Sequence, residues 1–242
     1  MTNLNLCEVF VSIQGEGPYI GTKQIFVRLA GCNLACNYCD TAWSWDIPDT
    51  FDVELDGFQK QYANPAHPIL IAEDIIKHMP TNTYAVSVTG GEPLLQAEAL
   101  QSFLPIIQAK TKTLLETNGT LPAQLSKVLP WVDIISMDIK LPAFSGKDLL
   151  KEHYEFLRLS ASKEVYVKMV ISEDTAKKDL LSAVEMVAKV SPTITLVIQP
   201  LAGTTADYSF STEKLYNIQG EMLKILNDVR IIPQMHKLLN IK

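Results

Sequence analysis

Cysteine is scarce in this chain of 242 residues: there are four, three of them crowded between positions 32 and 39 and the fourth, Cys7, alone upstream. So few thiols, so unevenly placed, argue against a disulfide framework and for metal or redox chemistry. Positive charge is also short. Lys and Arg number 21 against 27 Asp and Glu, a net charge of −6, with no basic run. An acidic surface repels phosphate backbones, so direct nucleic-acid binding is not expected. No apolar run approaches the length needed to cross a bilayer. The first residues, Thr2 to Leu6, lack the basic region and long apolar core of a secretory signal, and a cytoplasmic protein without membrane contact is the expectation. Repeats, low-complexity tracts and linkers are missing too. With 47% hydrophobic and 20% charged residues, residues 1–242 are expected to form one globular domain.

What the chain does have is alternation. Six short runs rich in β-branched residues read as strands: 24–29, 84–88, 113–116, 132–137, 165–170 and 194–198, each ending in turn-forming residues. Helical stretches lie between them. Leu180, Val184 and Val187, and again Leu215, Ile218, Met222 and Ile225, recur at helical spacing as core-facing stripes. The pattern predicts an α/β fold, a partial TIM-like β/α barrel of about six parallel strands with its core over about 24–200. In such barrels function collects at the C-terminal strand ends. The polar and Gly-rich segments sit there: the cysteine loop, Thr89-Gly90-Gly91-Glu92, Thr117-Asn118-Gly119, Asp138 to Lys140, and Gln199-Pro200.

Cys32, Cys36 and Cys39 have the spacing C-x3-C-x2-C. Three thiolates in one loop can hold three irons of a cubane and leave the fourth iron open to a substrate. Three buried cysteines, or a zinc site completed by His, is the plainer alternative. At the next strand end, the glycines of Thr89-Gly90-Gly91-Glu92-Pro93 let backbone approach a ligand, and Glu92 offers an acceptor for a cation; alone, it would be an ordinary glycine turn.

The cysteine spacing, with an aromatic Tyr38 before the last thiol and a Gly-Gly-Glu-Pro segment downstream, resembles the radical S-adenosylmethionine superfamily. The resemblance implies a [4Fe–4S] cluster on Cys32, Cys36 and Cys39. It implies S-adenosylmethionine held by Tyr38, Gly91, Glu92, Glu116, Asn118, Ser136, Asp138, Lys140 and Gln199. No catalytic side chain is implied beyond the cluster and that cofactor. Cys7 has no assigned part, and a buried small hydrophobe is its default reading.

The flanks sharpen this. Phe10-Val11-Ser12-Ile13-Gln14-Gly15-Glu16-Gly17-Pro18 precedes the first predicted strand, Asp40-Thr41 follows the thiols, and Pro233-Gln234-Met235-His236 lies near the end. Together they resemble the 7-carboxy-7-deazaguanine synthase family. The implied activity is a carbon–nitrogen lyase reaction: 6-carboxy-5,6,7,8-tetrahydropterin contracts to 7-carboxy-7-deazaguanine with loss of ammonia, on the route to queuosine. The terminal extensions would complete the pocket, with Ile13, Gln14, Gly15, Arg28, Thr89, Gly90 and His236 on the substrate and Thr41 on Mg2+. An external electron donor such as flavodoxin or ferredoxin and a homodimer are the implied partners. Arg28 could make a bidentate bond to the substrate carboxylate, or a surface ion pair. His236 could reach substrate or simply face solvent, and Asp40 and Thr41 could merely cap a turn. Two other functions stay in view: an activase that makes a glycyl radical on a partner protein, and a non-catalytic iron–sulfur redox sensor.

Overall fold

A computed structural model describes residues 2–202 and 210–242. Its strands are β1 (Leu6–Ile13), β2 (Lys23–Leu29), β3 (Thr50–Leu55), β4 (Phe58–Ala63), β5 (Ala85–Gly90), β6 (Lys112–Thr117), β7 (Ile134–Ile139), β8 (Glu164–Ile171), β9 (Thr195–Pro200) and β10 (Val229–Ile231). Its helices are α1 (Pro68–Lys77), α2 (Ala97–Gln108), α3 (Pro122–Val128), α4 (Pro142–Ser145), α5 (Leu150–Ser160), α6 (Lys177–Val190), α7 (Thr212–Met222) and α8 (Met235–Leu239). The strands form one sheet in the order β10-β9-β8-β7-β6-β5-β2-β1-β3-β4. From β2 through β10 every neighbouring pair is parallel, and a helix returns the chain between successive strands, as parallel pairing requires. The two edges, β4 and β10, do not pair, so the barrel is partial.

All six predicted strands form. The sheet is wider than expected at both ends. Leu6–Ile13, read from sequence only as a flank, pairs antiparallel with β2, Phe10 opposite Phe26. β3 and β4 make a hairpin closed by Asp56-Gly57, with Gly57 at φ 74°, a left-handed conformation that glycine takes without strain. β3 alternates exposed and buried along its length, the mark of a sheet wet on one face. α7 stops at Met222, so Ile225 lies beyond the helix, although it still packs on the core.

Strand alternation sorts the central sheet into two faces. Ile25, Val27, Leu29, Val86, Val88, Leu115, Ile135, Met137, Val167, Met169, Leu196 and Ile198 belong to the main core with residues from the helices. On the opposite face, Ala85, Leu114, Ile134, Tyr166 and Val197 form a small apolar layer with Tyr19, Tyr84 and Ile232. Further along the same strands, that inner face turns polar: Arg28, Thr89, Glu116, Ser136, Asp138, Lys168 and Gln199 line one cavity. The apolar layer is its floor.

Candidate active site

Cys32, Cys36 and Cys39 all line this cavity, and no disulfide engages any of the four cysteines. Burial pushes the free thiols of Cys32 and Cys36 above the ordinary range. Their loop is fastened by neutral bonds. Asn33 donates to Thr120 Oγ1 at 2.9 Å and accepts from Asn118 Nδ2 at 2.9 Å. Gln96, which sequence reasoning did not single out, donates to the Asn5 and Ala30 carbonyls and accepts from Asn5 N–H. It buckles β1 to the start of the thiol loop.

The Gly90-Gly91 pair is explained by contact with this loop. Gly90 sits at φ 134°, a region that L side chains avoid. A methyl group on Gly91 would overlap the Gly31 carbonyl and crowd Cys32 Cβ at 3.1 Å. Gly91 N–H donates to Leu29 O, and Glu92 N–H to Gly31 O, so β5 and the thiol loop meet backbone to backbone. Glu92 itself takes a different part from the one expected. Its carboxylate is fully buried and accepts from Leu94 N, Thr117 Oγ1 and Asn118 N at 2.8–3.0 Å. It does not line the cavity. Burial outweighs those bonds and raises its pKa. A carboxylate with three protein donors in a buried turn is tying strand ends together, and the backbone of Gly90 and Gly91 is what this motif turns toward the cavity.

The other wall is built of charge. Lys140 donates to Tyr38 Oη and Asp138 Oδ2, each at 2.9 Å. Lys168 lies 3.3 Å from the same Asp138 oxygen and forms an ion pair with Glu16. Glu16 accepts from Gln199 Nε2 at 3.1 Å and Gln234 Nε2 at 3.0 Å, and Gln234 also reaches Asp40 at 3.0 Å. Asp40 in turn faces His236 at 3.8 Å and Lys237 at 3.7 Å. Burial works against ionising Glu16, Asp40 and Asp138, but the neighbouring Lys168, His236, Lys237 and Lys140 hold all three below the usual carboxylate range. Lys140 and Lys168 stay charged despite burial because those carboxylates flank them. Burial, with Asp138 nearby, raises the Tyr38 phenol; its ring meets Phe144 edge-on at 4.9 Å. Lys168, Asp40, Gln234 and Lys237 were not predicted as site residues. They come from distant segments, and only the fold assembles them.

Ile13, Gln14, Gly15, Arg28, Thr89, Gly90 and His236, the residues expected on substrate, all border the cavity. A Cβ on Gly15 would stand 2.7 Å from His236 Cβ, and Met235 N–H donates to Gly15 O at 2.9 Å, so the two terminal motifs close on each other. The Gln14 amide is spent inside the protein. It donates to Glu116 at 2.9 Å and Gln24 at 3.4 Å and accepts from Glu16 N–H. Glu116 also accepts from Ser87 and Thr89. Arg28 borders the cavity, and its Nε pairs with Glu8 at 2.8 Å in an ion pair that is largely buried, not the surface pair weighed from the sequence. Thr41 lines the cavity with its Oγ1 3.8 Å from Cys39 Sγ. Donor atoms of Glu16, Asp40 and His236 lie within 4.8 Å of one another, close enough for a cation, though Lys168 and Lys237 already supply positive charge there.

Among the described residues three buried side-chain atoms have no hydrogen-bond partner, Ser44 Oγ, Asp138 Oδ1 and Gln199 Oε1, and the last two are on residues of this cavity. Buried acceptors are rarely left bare, so they fit a ligand carrying donors. Three convergent thiols with no disulfide, beside such acceptors, fit an iron–sulfur cluster and a polar organic cofactor.

Known proteins agree. A family model described as a 4Fe-4S single cluster domain matches residues 13–158. The structure of QueE from Escherichia coli superposes with a TM-score of 0.61 over 97% of this chain and 95% of that one, at 18% identity. Streptococcus suis SuiB bound to S-adenosylmethionine gives 0.57 over 84% of this chain and 48% of that one, at 13% identity. The partial barrel and its thiol loop define a radical S-adenosylmethionine enzyme. The 7-carboxy-7-deazaguanine synthase of Geobacter sulfurreducens is 35% identical over 237 residues, covering 95% of this chain and 94% of that relative. The chain belongs to the 7-carboxy-7-deazaguanine synthase family.

Proposed function

We propose that this chain converts 6-carboxy-5,6,7,8-tetrahydropterin to 7-carboxy-7-deazaguanine with release of ammonia, using a [4Fe–4S] cluster and S-adenosylmethionine. The observation that carries the reading is the meeting of Gly15 and His236, from opposite ends of the chain, over the cavity that the three thiols share. A redox sensor would need the thiol wall alone, and an activase would need the cofactor residues but no terminal motifs closing over a small-molecule cavity. When bound, the cluster and S-adenosylmethionine supply a carbon-centred radical that takes hydrogen from the substrate.

The chain's own residues bind and orient. Cys32, Cys36 and Cys39 hold the cluster. Asp138 Oδ1 and Gln199 Oε1 accept from the donors of S-adenosylmethionine, with Tyr38, Gly91, Asn118, Ser136 and Lys140 around it. Arg28 meets the substrate carboxylate, and Gln14 acts by holding Glu116 in place. Thr41 contributes an oxygen to Mg2+, a hard cation that keeps several waters and gains anionic oxygen from the substrate. The main hydrophobic cluster, continuous from Leu4 to Val229, supports a single domain. Among the described residues no helix is long and apolar enough to cross a membrane, which suits a cytoplasmic enzyme. By family likeness it works as a homodimer reduced by an external donor such as flavodoxin or ferredoxin.

Anaerobic reconstitution with iron and sulfide, followed by addition of the carboxytetrahydropterin, S-adenosylmethionine and a chemical reductant, tests the reading. Carboxydeazaguanine should form with no partner protein present. An intact cluster that binds S-adenosylmethionine yet leaves the pterin unchanged would overturn it.

A further inference from the structure

Glu8 stands just outside the cavity, on β1 opposite Arg28 of β2. Its two carboxylate oxygens are divided between two cations. Oε1 takes Arg28 Nε at 2.8 Å, and Oε2 takes Lys242 Nζ at 2.7 Å. Both cations border the cavity, whereas Glu8 does not. They also share one aromatic surface: Lys242 Nζ lies 4.7 Å and Arg28 Cζ 5.7 Å from the centre of the Phe10 ring. Trp43 covers Arg28 from another side, again at 5.7 Å. Ser12 Oγ donates to the Lys242 carbonyl at 2.6 Å, which fixes that residue against β1.

The division of bonds matters. Using Nε for Glu8 leaves the Nη1 and Nη2 groups of Arg28 without a protein partner among the described residues. These are the donors with which a guanidinium grips a carboxylate bidentately. Glu8 and Arg28 are both largely buried, with side chains 13% and 15% exposed, while Lys242 is 53% exposed. Glu54, half-exposed, also lies 3.6 Å from Lys242 Nζ, so the positive charge left unshared at the cavity wall sits on the two Nη groups of Arg28, with Lys242 beside them. A structural ion pair would need only Arg28; drawing Lys242 onto the same ring gathers a second cation at the cavity wall.

We infer that Glu8 is a positioning residue for the substrate: it gathers Arg28 and Lys242 into a two-cation clamp for the pterin carboxylate. This rests on the reading above that Arg28 faces that carboxylate. Glu8 touches no substrate. It sets the orientation of one cation and the location of the other.

The test compares the reconstituted enzyme, with S-adenosylmethionine bound, on two ligands: 6-carboxytetrahydropterin and tetrahydropterin without the carboxylate. Glu8→Gln should raise KM for the carboxylated substrate by roughly tenfold, the scale of one hydrogen bond to a charged group, with the effect falling on KM rather than kcat. Affinity for the carboxylate-free ligand should not move, and Glu8→Asp should recover part of the loss. Lys242→Met, at a half-exposed position that cannot disturb the core, should raise the same KM by roughly threefold to fivefold, as for a partly exposed ion pair. If Glu8→Gln and Lys242→Met weaken both ligands alike, or neither, the clamp is wrong. Arg28→Ala distinguishes the two levels. Loss of the preference for the carboxylated ligand in Arg28→Ala alone sinks the clamp and keeps the site; no loss in Arg28→Ala sinks the carboxylate reading itself.

Discussion

The cavity has two walls built by different physics. The thiol wall is joined by close backbone contact and neutral bonds: Gly91 against Gly31, Asn33 to Asn118, Gln96 across Asn5 and Ala30. The other wall is a network of charges, Lys140, Asp138, Lys168 and Glu16, that reaches Asp40 through the Gln234 amide and ends on the neutral Tyr38 phenol. Neutral contacts of this kind depend on shape, and a single extra methyl group disturbs them. A buried ionic chain tolerates small shifts but not the loss of one member, since the remaining partner is then an unpaired buried charge. The molecule therefore places its rigid geometry beside the three thiols and its paired charges on the rest of the cavity wall.

That contrast can be broken most severely at the thiols. Cys32→Ala, Cys36→Ala and Cys39→Ala should each abolish cluster assembly and turnover, read by iron content and product formation. Cys7→Ala should do neither, because Cys7 is buried on β1, outside the cavity, with burial pushing its thiol up to about 11 and its Sγ 3.9 Å from the Ser44 carbonyl. Normal iron content in the triple variant would remove the cluster from this wall.

The ionic wall should fail next. Lys168→Met leaves Glu16 and Asp138 facing each other without their shared cation and should cost about 3–5 kcal/mol of stability in denaturant unfolding. A loss below 1 kcal/mol would mean that the lysine is not an integral part of the wall.

Acid sharpens the comparison, because it should reach the neutral wall first. His153 is buried behind that wall, its Nε2 3.1 Å from Asn118 O, and burial lowers its pKa from 6.5 to about 4. The unfolded chain thus binds a proton that the folded chain refuses. The penalty is absent above pH 6.5, grows as pH falls through the window down to about 4, and amounts to about 3 kcal/mol. The depressed carboxylates of the ionic wall lose their contribution only below the ordinary carboxylate range. Glu92, whose pKa is raised, acts with the opposite sign, so the measurement is the difference between parent and His153→Gln from pH 7 to 4. Equal acid sensitivity in the two would exclude His153.

The smallest effect lies where the walls join. Thr41→Val keeps the shape beside Cys39 and removes the oxygen, so magnesium should no longer stimulate turnover, while cluster content and S-adenosylmethionine binding stay as they were. A full magnesium response in Thr41→Val would place the ion elsewhere.

The two walls also differ in how far the sequence disclosed them. The thiol wall comes from short segments whose residue types are their own signal, and the six central strands from β-branched runs. For Glu92 the segment gives its proximity to a cofactor but not that Leu94, Thr117 and Asn118 donate to its oxygens. The ionic wall needs residues 16, 40, 138, 168 and 234 at once, and no local pattern joins them. Lys168 had one faint mark, a lysine inside the apolar run Val165 to Val170, at the alternation that faces inward. β1 and the Asp56-Gly57 hairpin were legible in principle: the first is rich in β-branched residues, and the second carries a turn dipeptide. β10, three residues long, offers no periodicity to detect.

The fit of Gly91 against the Gly31 carbonyl reaches into inheritance. Residues 31 and 91 are far apart in the gene, yet Gly91 has no room for a side chain because the backbone of Gly31 passes against it. A recombination crossover between them, joining the front of one relative to the back of another, would bring together surfaces never selected side by side. Chimaeras with the join before residue 31 or after residue 93 keep both halves from one parent. Those joined between the two should lose the cluster more often, even when every cysteine is present.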